Sequence, residues 1–146
     1  MKLHRETLNV ATRGRAASAR THGAFVDVTR LIGEVVGRSG VDRGIATVFV
    51  LHTSASLVIQ ENADPRVLDD LDAWMKKVAP EGPHYTHDDE GPDDMPAHVR
   101  TLVAGSALSI PVTAGRCALG TWQGIYLWEH RHAGHRRRLT LTVLGE

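Results

Sequence analysis

The sequence predicts an α+β fold, a mainly antiparallel β-sheet arrangement carrying two or three helices. Three observations lead there. At least six runs are rich in β-branched residues or alternate in polarity, whereas only two or three stretches have helical spacing. Most connections are short, which suits antiparallel neighbours better than parallel crossovers. The 146 residues suit a single domain spanning 1–146, with no repeat or low-complexity linker to divide it.

The elements follow in order. "KLHRETLNVATRG" alternates weakly and reads as a strand closed by Gly14. "DVTRLIGEVVGRSG" begins at a capping Asp27 and sets Leu31, Ile32, Val35 and Val36 on one helical face, with Gly37 and Gly40 as stops. "GIATVFVLHTSASLVIQEN" reads as two strands, 45–52 and 56–61, separated by a turn of small residues. Asp64 then caps a helix whose first position is Pro65. Val67, Leu71, Met75 and Val78 form its predicted core stripe, and Lys76 and Lys77 suit the C-terminal dipole. Pro96 opens a short helix near 96–104, and "ALSIPV" is a strand ending at Pro111. "WQGIYLWEH" and "RRLTLTVLGE" are two long strands, and the basic run His130–Arg138 between them reads as a solvated hairpin tip.

Composition bounds the function. Hydrophobic residues make up 42% and charged residues 23%, with 17 basic against 17 acidic side chains. That balance predicts no nucleic-acid partner. Cys117 is the only cysteine, so neither an internal disulfide nor a cysteine-rich zinc site can form. The N-terminus lacks a signal-peptide core and no window reaches the roughly 18 apolar residues of a span, which predicts a cytoplasmic protein without membrane contact.

Four groups of residues can carry chemistry. His52 ends a strand and is followed by small hydroxyl residues, a frequent setting for sites. Glu61 and Asn62 fall where a strand passes into the capped helix. "THDDEGPDDMPAHVR", 86–100, brackets five carboxylates between His87 and His98. It is either a solvated acidic loop or a cation site, because neutral imidazole and carboxylate both ligate divalent metals. Three histidines, His52, His87 and His98, would leave an open coordination position. In "GTWQGIYLWEH", strand parity sets Gln123, Ile125, Leu127 and Glu129 on one face and Trp122, Gly124, Tyr126 and Trp128 on the other. A buried Gln123 or Glu129 would need polar partners, while Trp122 and Trp128 suit subunit-interface packing.

Taken together, "LHTSASLVIQENADP", "EGPDDMPAHVR", "SIPV" and "LGTWQGIYLWEHR" resemble the YjbQ family, described as secondary thiamine-phosphate synthases. The resemblance covers about residues 45–131. It implies antiparallel strands with two or three helices, assembled as a homotrimer, with a polar site near the subunit boundary that often holds a metal. It implies His52, His87 and His98 as ligands of a divalent metal, zinc or magnesium, or of phosphate. Glu61, Asn62, Asp94, Gln123 and Glu129 become lining residues, with Glu61, Gln123 and Glu129 as the catalytic candidates and Trp122 as a wall for the ligand. The implied reaction joins a hydroxymethylpyrimidine diphosphate to a thiazole phosphate and releases pyrophosphate. Two alternatives stand beside it: a trimeric module that binds a metal or phosphorylated metabolite without turnover, and a metal-dependent hydrolase.

Overall fold

A computed structural model describes residues 1–14 and 24–146. The chain runs β1 (Lys2–Ala11), β2 (Phe25–Asp27), α1 (Thr29–Arg38), β3 (Arg43–Val50), β4 (Ala55–Glu61), α2 (Pro65–Val78), α3 (Asp94–Ala104), β5 (Ala107–Thr113), β6 (Arg116–Cys117), β7 (Gln123–Glu129) and β8 (Arg136–Gly145). The strands form two sheets: five in the order β1-β8-β3-β5-β6 and three in the order β2-β7-β4. All pairings are antiparallel.

The two sheets meet face to face. Val48 and Val50 from β3, Leu139, Leu141 and Val143 from β8, and Ile110 from β5 meet Ala55, Leu57, Ile125 and Leu127 from the smaller sheet. Helix α1 seals this layer with Ile32, Val35 and Val36, as its spacing predicts. The N-cap is Val28 and not the expected Asp27, which ends β2 and receives the Thr29 N–H and hydroxyl at 2.9 and 2.6 Å from one residue further back. The other face of the small sheet forms a second apolar layer, in which Phe25, Tyr126 and Trp128 meet Leu68 and Met75 of α2. Both faces of β7 are therefore buried, and Trp128 stacks on Phe25 at 4.4 Å inside its own chain. That corrects the expectation that Trp128 packs a subunit interface; Trp122 is exposed.

Four other expectations change. The strand expected over 45–52 ends at Val50, so His52 lies in the connection that carries the chain from the large sheet to the small one at Ala55. Likewise β7 and β8 are not a hairpin. The basic run carries the chain from one sheet to the other, and Arg137 is buried within it. In α2 the cap is as predicted, with Asp64 accepting the Arg66 N–H, but the buried residues are Leu68, Asp72 and Met75. Val67 and Leu71 are only partly covered and Val78 is exposed. The helix is apolar over so wide an arc that its stripe can be placed one residue off, and a buried Asp72, paired with Lys76 at 3.3 Å, lies where pattern reading expects solvent. Finally, β5 continues through Pro111 to Thr113; the Pro111 carbonyl accepts from Ala118, so its missing donor is not needed there.

Candidate functional site

Helix α3 begins inside the acidic loop. Asp94 lies in its first turn and His98 four residues on, so both project from one side. Asp94 Oδ2 is 3.3 Å from His98 Nε2 and 3.0 Å from His87 Nε2. The loop thus folds back to bring His87 to the helix, and the two rings stand 6.0 Å apart, centre to centre. Ligand atoms of His87, Asp94 and His98 all lie within 4.8 Å of one another. His87 also touches Glu90 at 2.7 Å, and with Asp89 and Glu90 it makes a second, fully exposed set. Glu90, and after it Asp94, holds the His87 imidazolium above the ordinary histidine range.

Arg131 fixes this arrangement from behind. Its Nη1 donates to Asp94 Oδ1 at 3.0 Å, its Nε to Asp93 Oδ2 at 2.9 Å, and its Nη2 to the Glu90 carbonyl at 2.9 Å. Asp93 Oδ2 also accepts the His132 N–H at 2.8 Å. Burial pushes the Asp93 carboxyl up, but Arg131 and the His132 N–H hold it down at about 2. With Oδ1 of Asp94 held by Arg131, its other oxygen is left facing both imidazoles. Two imidazole nitrogens and one carboxylate oxygen form a donor set that suits zinc, with room for a further ligand. Magnesium prefers oxygen donors throughout, and the set suits it less.

Behind the cluster lies a buried ionic network. Glu129 accepts from Arg137 Nε and Nη2 at 2.8 and 2.6 Å, from Thr12 Oγ1 at 2.6 Å, and from the N–H groups of His130 and Arg131. Five donors occupy a carboxylate that water does not reach. Arg137 also donates to Ser54 Oγ at 2.9 Å, and Ser54 in turn contacts His52 Nδ1 through both its N–H, at 3.1 Å, and its hydroxyl, at 2.9 Å. Burial, and after it Arg137, lowers the His52 pKa.

The predicted residues therefore fall into three places. His87, His98 and Asp94 come together. His52 is outside that set and belongs instead to the Ser54–Arg137–Glu129 network. Glu61, Asn62, Trp122 and Gln123 gather at the opposite end of the small sheet. There Glu61 pairs with Gln123, while Ala55 pairs with Glu129 six residues away, about 20 Å along the strands. At that end Gln123 Oε1 accepts the Gly120 N–H at 2.7 Å, the Asn62 N–H reaches the Trp122 carbonyl at 3.0 Å, and Glu61 leans towards the Asp64 N–H at 3.4 Å. Sequence reading missed Arg131 and Arg137, because an arginine with a distant acidic partner looks like any other in a basic run. Their signal was adjacency to Glu129, a carboxylate in a strand that needed a counter-charge.

Comparison with known proteins agrees with this architecture. The model of the family described as UPF0047 protein YjbQ-like matches residues 15–146. A UPF0047 protein of Synechocystis is 47% identical over 98% of this chain and 92% of its own, and the UPF0047 protein YjbQ of Salmonella typhimurium is 41% identical over 88% and 94%. Among solved structures, a YbjQ-like protein of unknown function from Sulfolobus solfataricus superposes with a TM-score of 0.87 at 26% identity, covering 99% of each chain. A YjbQ/UPF0047 family protein from Clostridium acetobutylicum does so with a TM-score of 0.78 at 33% identity, over 97% and 99%. With two sheets, three helices and these matches across nearly its whole length, the chain belongs to the YjbQ/UPF0047 family.

Proposed function

We propose that the chain holds a divalent cation, zinc in preference to magnesium, on His87, Asp94 and His98, and acts there on a phosphorylated small molecule. The observation that carries this reading is the single Asp94 oxygen set 3.0 and 3.3 Å from two imidazole nitrogens while Arg131 holds its other oxygen. A bound cation would neutralise phosphoryl charge and assist departure of pyrophosphate. The chain's own residues bind and orient: Asp94 fixes both rings, Arg131 fixes Asp94, and the walls around Thr53 and Thr101 beside His98 offer about 370 Å³, room for a small metabolite.

The reaction class we favour is the thiamine-phosphate synthase type, joining hydroxymethylpyrimidine diphosphate to thiazole phosphate. Its support is the family resemblance together with the cluster. The assembly we favour is a cytoplasmic homotrimer. Leu3, Leu144 and Ile45 lie side by side in register on the outer face of the large sheet, all exposed, an apolar row that a second copy would cover. In such an assembly the Glu61 and Gln123 end of one copy can face the histidine cluster of another. Light scattering at micromolar concentration then gives about three chain masses, and a clean monomer removes an intersubunit site.

Binding without turnover is the second reading. The specific observation for it is that Glu129 is fully engaged and Glu61 stands at the far end of the sheet, so within one chain neither of the two expected glutamate bases stands free at the cluster. Metal-dependent hydrolysis is weakened on the same ground. The deciding assay follows pyrophosphate release from the two phosphorylated precursors by metal-stripped protein restored with zinc or with magnesium. Turnover with zinc supports the transferase; saturable binding without release supports the module.

A further inference from the structure

His52 and Arg138 open onto one groove of about 490 Å³, with Phe49, Leu51, Thr53 and Ser106 among its walls. Thr53 and Ser106 also line the groove that holds His98, so the two are neighbours. The hydrogen bonds around His52 determine what its ring can do. A backbone N–H only donates, so Nδ1 accepts from Ser54 N at 3.1 Å. An arginine only donates as well; the Ser54 hydroxyl accepts from Arg137 at 2.9 Å and sends its own hydrogen to Nδ1 at 2.9 Å. With Nδ1 filled as an acceptor, the ring proton resides on Nε2. Ligating a metal through Nε2 would need a proton on Nδ1, pointing at the Ser54 N–H. Burial and Arg137 also disfavour a second proton on the ring. Arg138 adds the charge: its side chain is exposed and, among the described residues, no carboxylate pairs with it.

We infer that His52 and Arg138 form an anion subsite, a neutral Nε2–H beside a guanidinium, that takes a phosphoryl group of a small phosphorylated metabolite while His87, Asp94 and His98 hold the cation. Guanidinium and N–H donors together match phosphate oxygens. The groove's apolar members, Phe49 and Leu51, suit the body of a metabolite. The inference deepens the proposed function, but the phosphate contacts it names do not require the cation.

Two measurements test it on the full chain. The first, nitrogen-15 correlation spectroscopy of the histidine rings, shows His52 protonated on Nε2 at neutral pH and unchanged in tautomer on addition of zinc, while His87 and His98 respond. A proton on Nδ1, or a zinc-induced change of tautomer at His52, overturns the inference. The second is calorimetric titration of inorganic pyrophosphate into zinc-loaded and zinc-free protein. Arg138→Met and His52→Ala each weaken binding by about 10- to 100-fold, the usual effect of losing a hydrogen bond to a charged group. His52→Gln recovers most of the loss, since its amide N–H lies near Nε2, and all three variants keep one zinc per chain. The inference fails if either loss is under about twofold, if His52→Ala loses its zinc, or if a single-stranded oligonucleotide or acetate binds in preference to pyrophosphate. Wild-type protein that binds pyrophosphate through these residues but takes up no zinc would remove the cation reading and leave this one standing.

Discussion

The two ends of the small sheet carry similar side chains and put them to different use. At one end Glu129 is buried and receives five donors, and Ser54, the chain neighbour of its strand partner Ala55, links Arg137 to His52. At the other end Glu61 and Gln123 pair across the same two strands, yet Gln123 is exposed and is satisfied by its own turn. Strand parity treats Glu129 and Gln123 alike, because it registers the face of a strand and not which end of the face is covered. What covers the Glu129 end is the chain's passage between sheets, which brings Arg131 and Arg137 over it. A polar residue there is an anchor first, and any chemistry nearby depends on what it anchors.

That difference has consequences that stability and binding measurements can break. Glu129→Gln leaves the Arg137 guanidinium buried without its counter-charge, and urea unfolding should register a loss of about 3–5 kcal/mol, the usual effect of breaking a buried pair. Glu61→Gln at the opposite end should change stability by less than about 0.5 kcal/mol. Equal losses at both ends would erase the distinction drawn between them.

The helix that covers the small sheet supplies the next test. Leu68→Ala should cost about 2–5 kcal/mol, because Leu68 sits in the second apolar layer. Val78→Ala, on the exposed side, should cost less than about 1 kcal/mol. A reversal would restore the stripe that the sequence suggests.

Arg131 sharpens the picture at the cluster itself. Arg131→Gln should weaken zinc binding by about 10- to 100-fold, as outer partners of ligands do, while Asp94→Asn should do more. Asp88→Asn should do little. An Arg131 variant with unchanged affinity would mean that Asp94 needs no backing. The smallest effect lies far from both ends. Glu6 accepts from Arg38 and His4, and their hydrogen bonds hold its pKa down at about 2 from the ordinary 4.5. Because the folded-state pKa is the depressed one, the contribution is present above about pH 4.5 and is lost as pH falls towards about 2. Glu6→Gln should flatten that acid limb of the melting temperature slightly and leave neutral pH nearly unchanged.

Much of this molecule is local, and the local part was legible. Asp64 and Pro65 start α2 through chemistry confined to adjacent residues, and Ile32, Val35 and Val36 face inward because their spacing leaves no alternative. Asp94 is named through the family resemblance and placed ahead of a helix opening at Pro96; the helix in fact begins at Asp94, which sets it four residues before His98 on the same side. The partner of a strand is set by distant chain, and there the sequence misled. β7 and β8 look like a hairpin because a basic run separates them, whereas the space between the sheets decides that they part. His52 was grouped with the other histidines by residue type. Its tautomer depends on Ser54, two residues away, and on Arg137, held by a carboxylate from another strand.

His87, Asp94 and His98 as one cation site are tested most directly by the zinc affinity of metal-stripped protein, measured by competition with a chromophoric chelator. Wild-type protein should take up one zinc per chain. His98→Ala should lose that zinc while melting within a few degrees of wild type, because the His98 side chain is partly exposed. Full zinc uptake by His98→Ala would contradict the site and leave the 86–100 segment a solvated acidic loop.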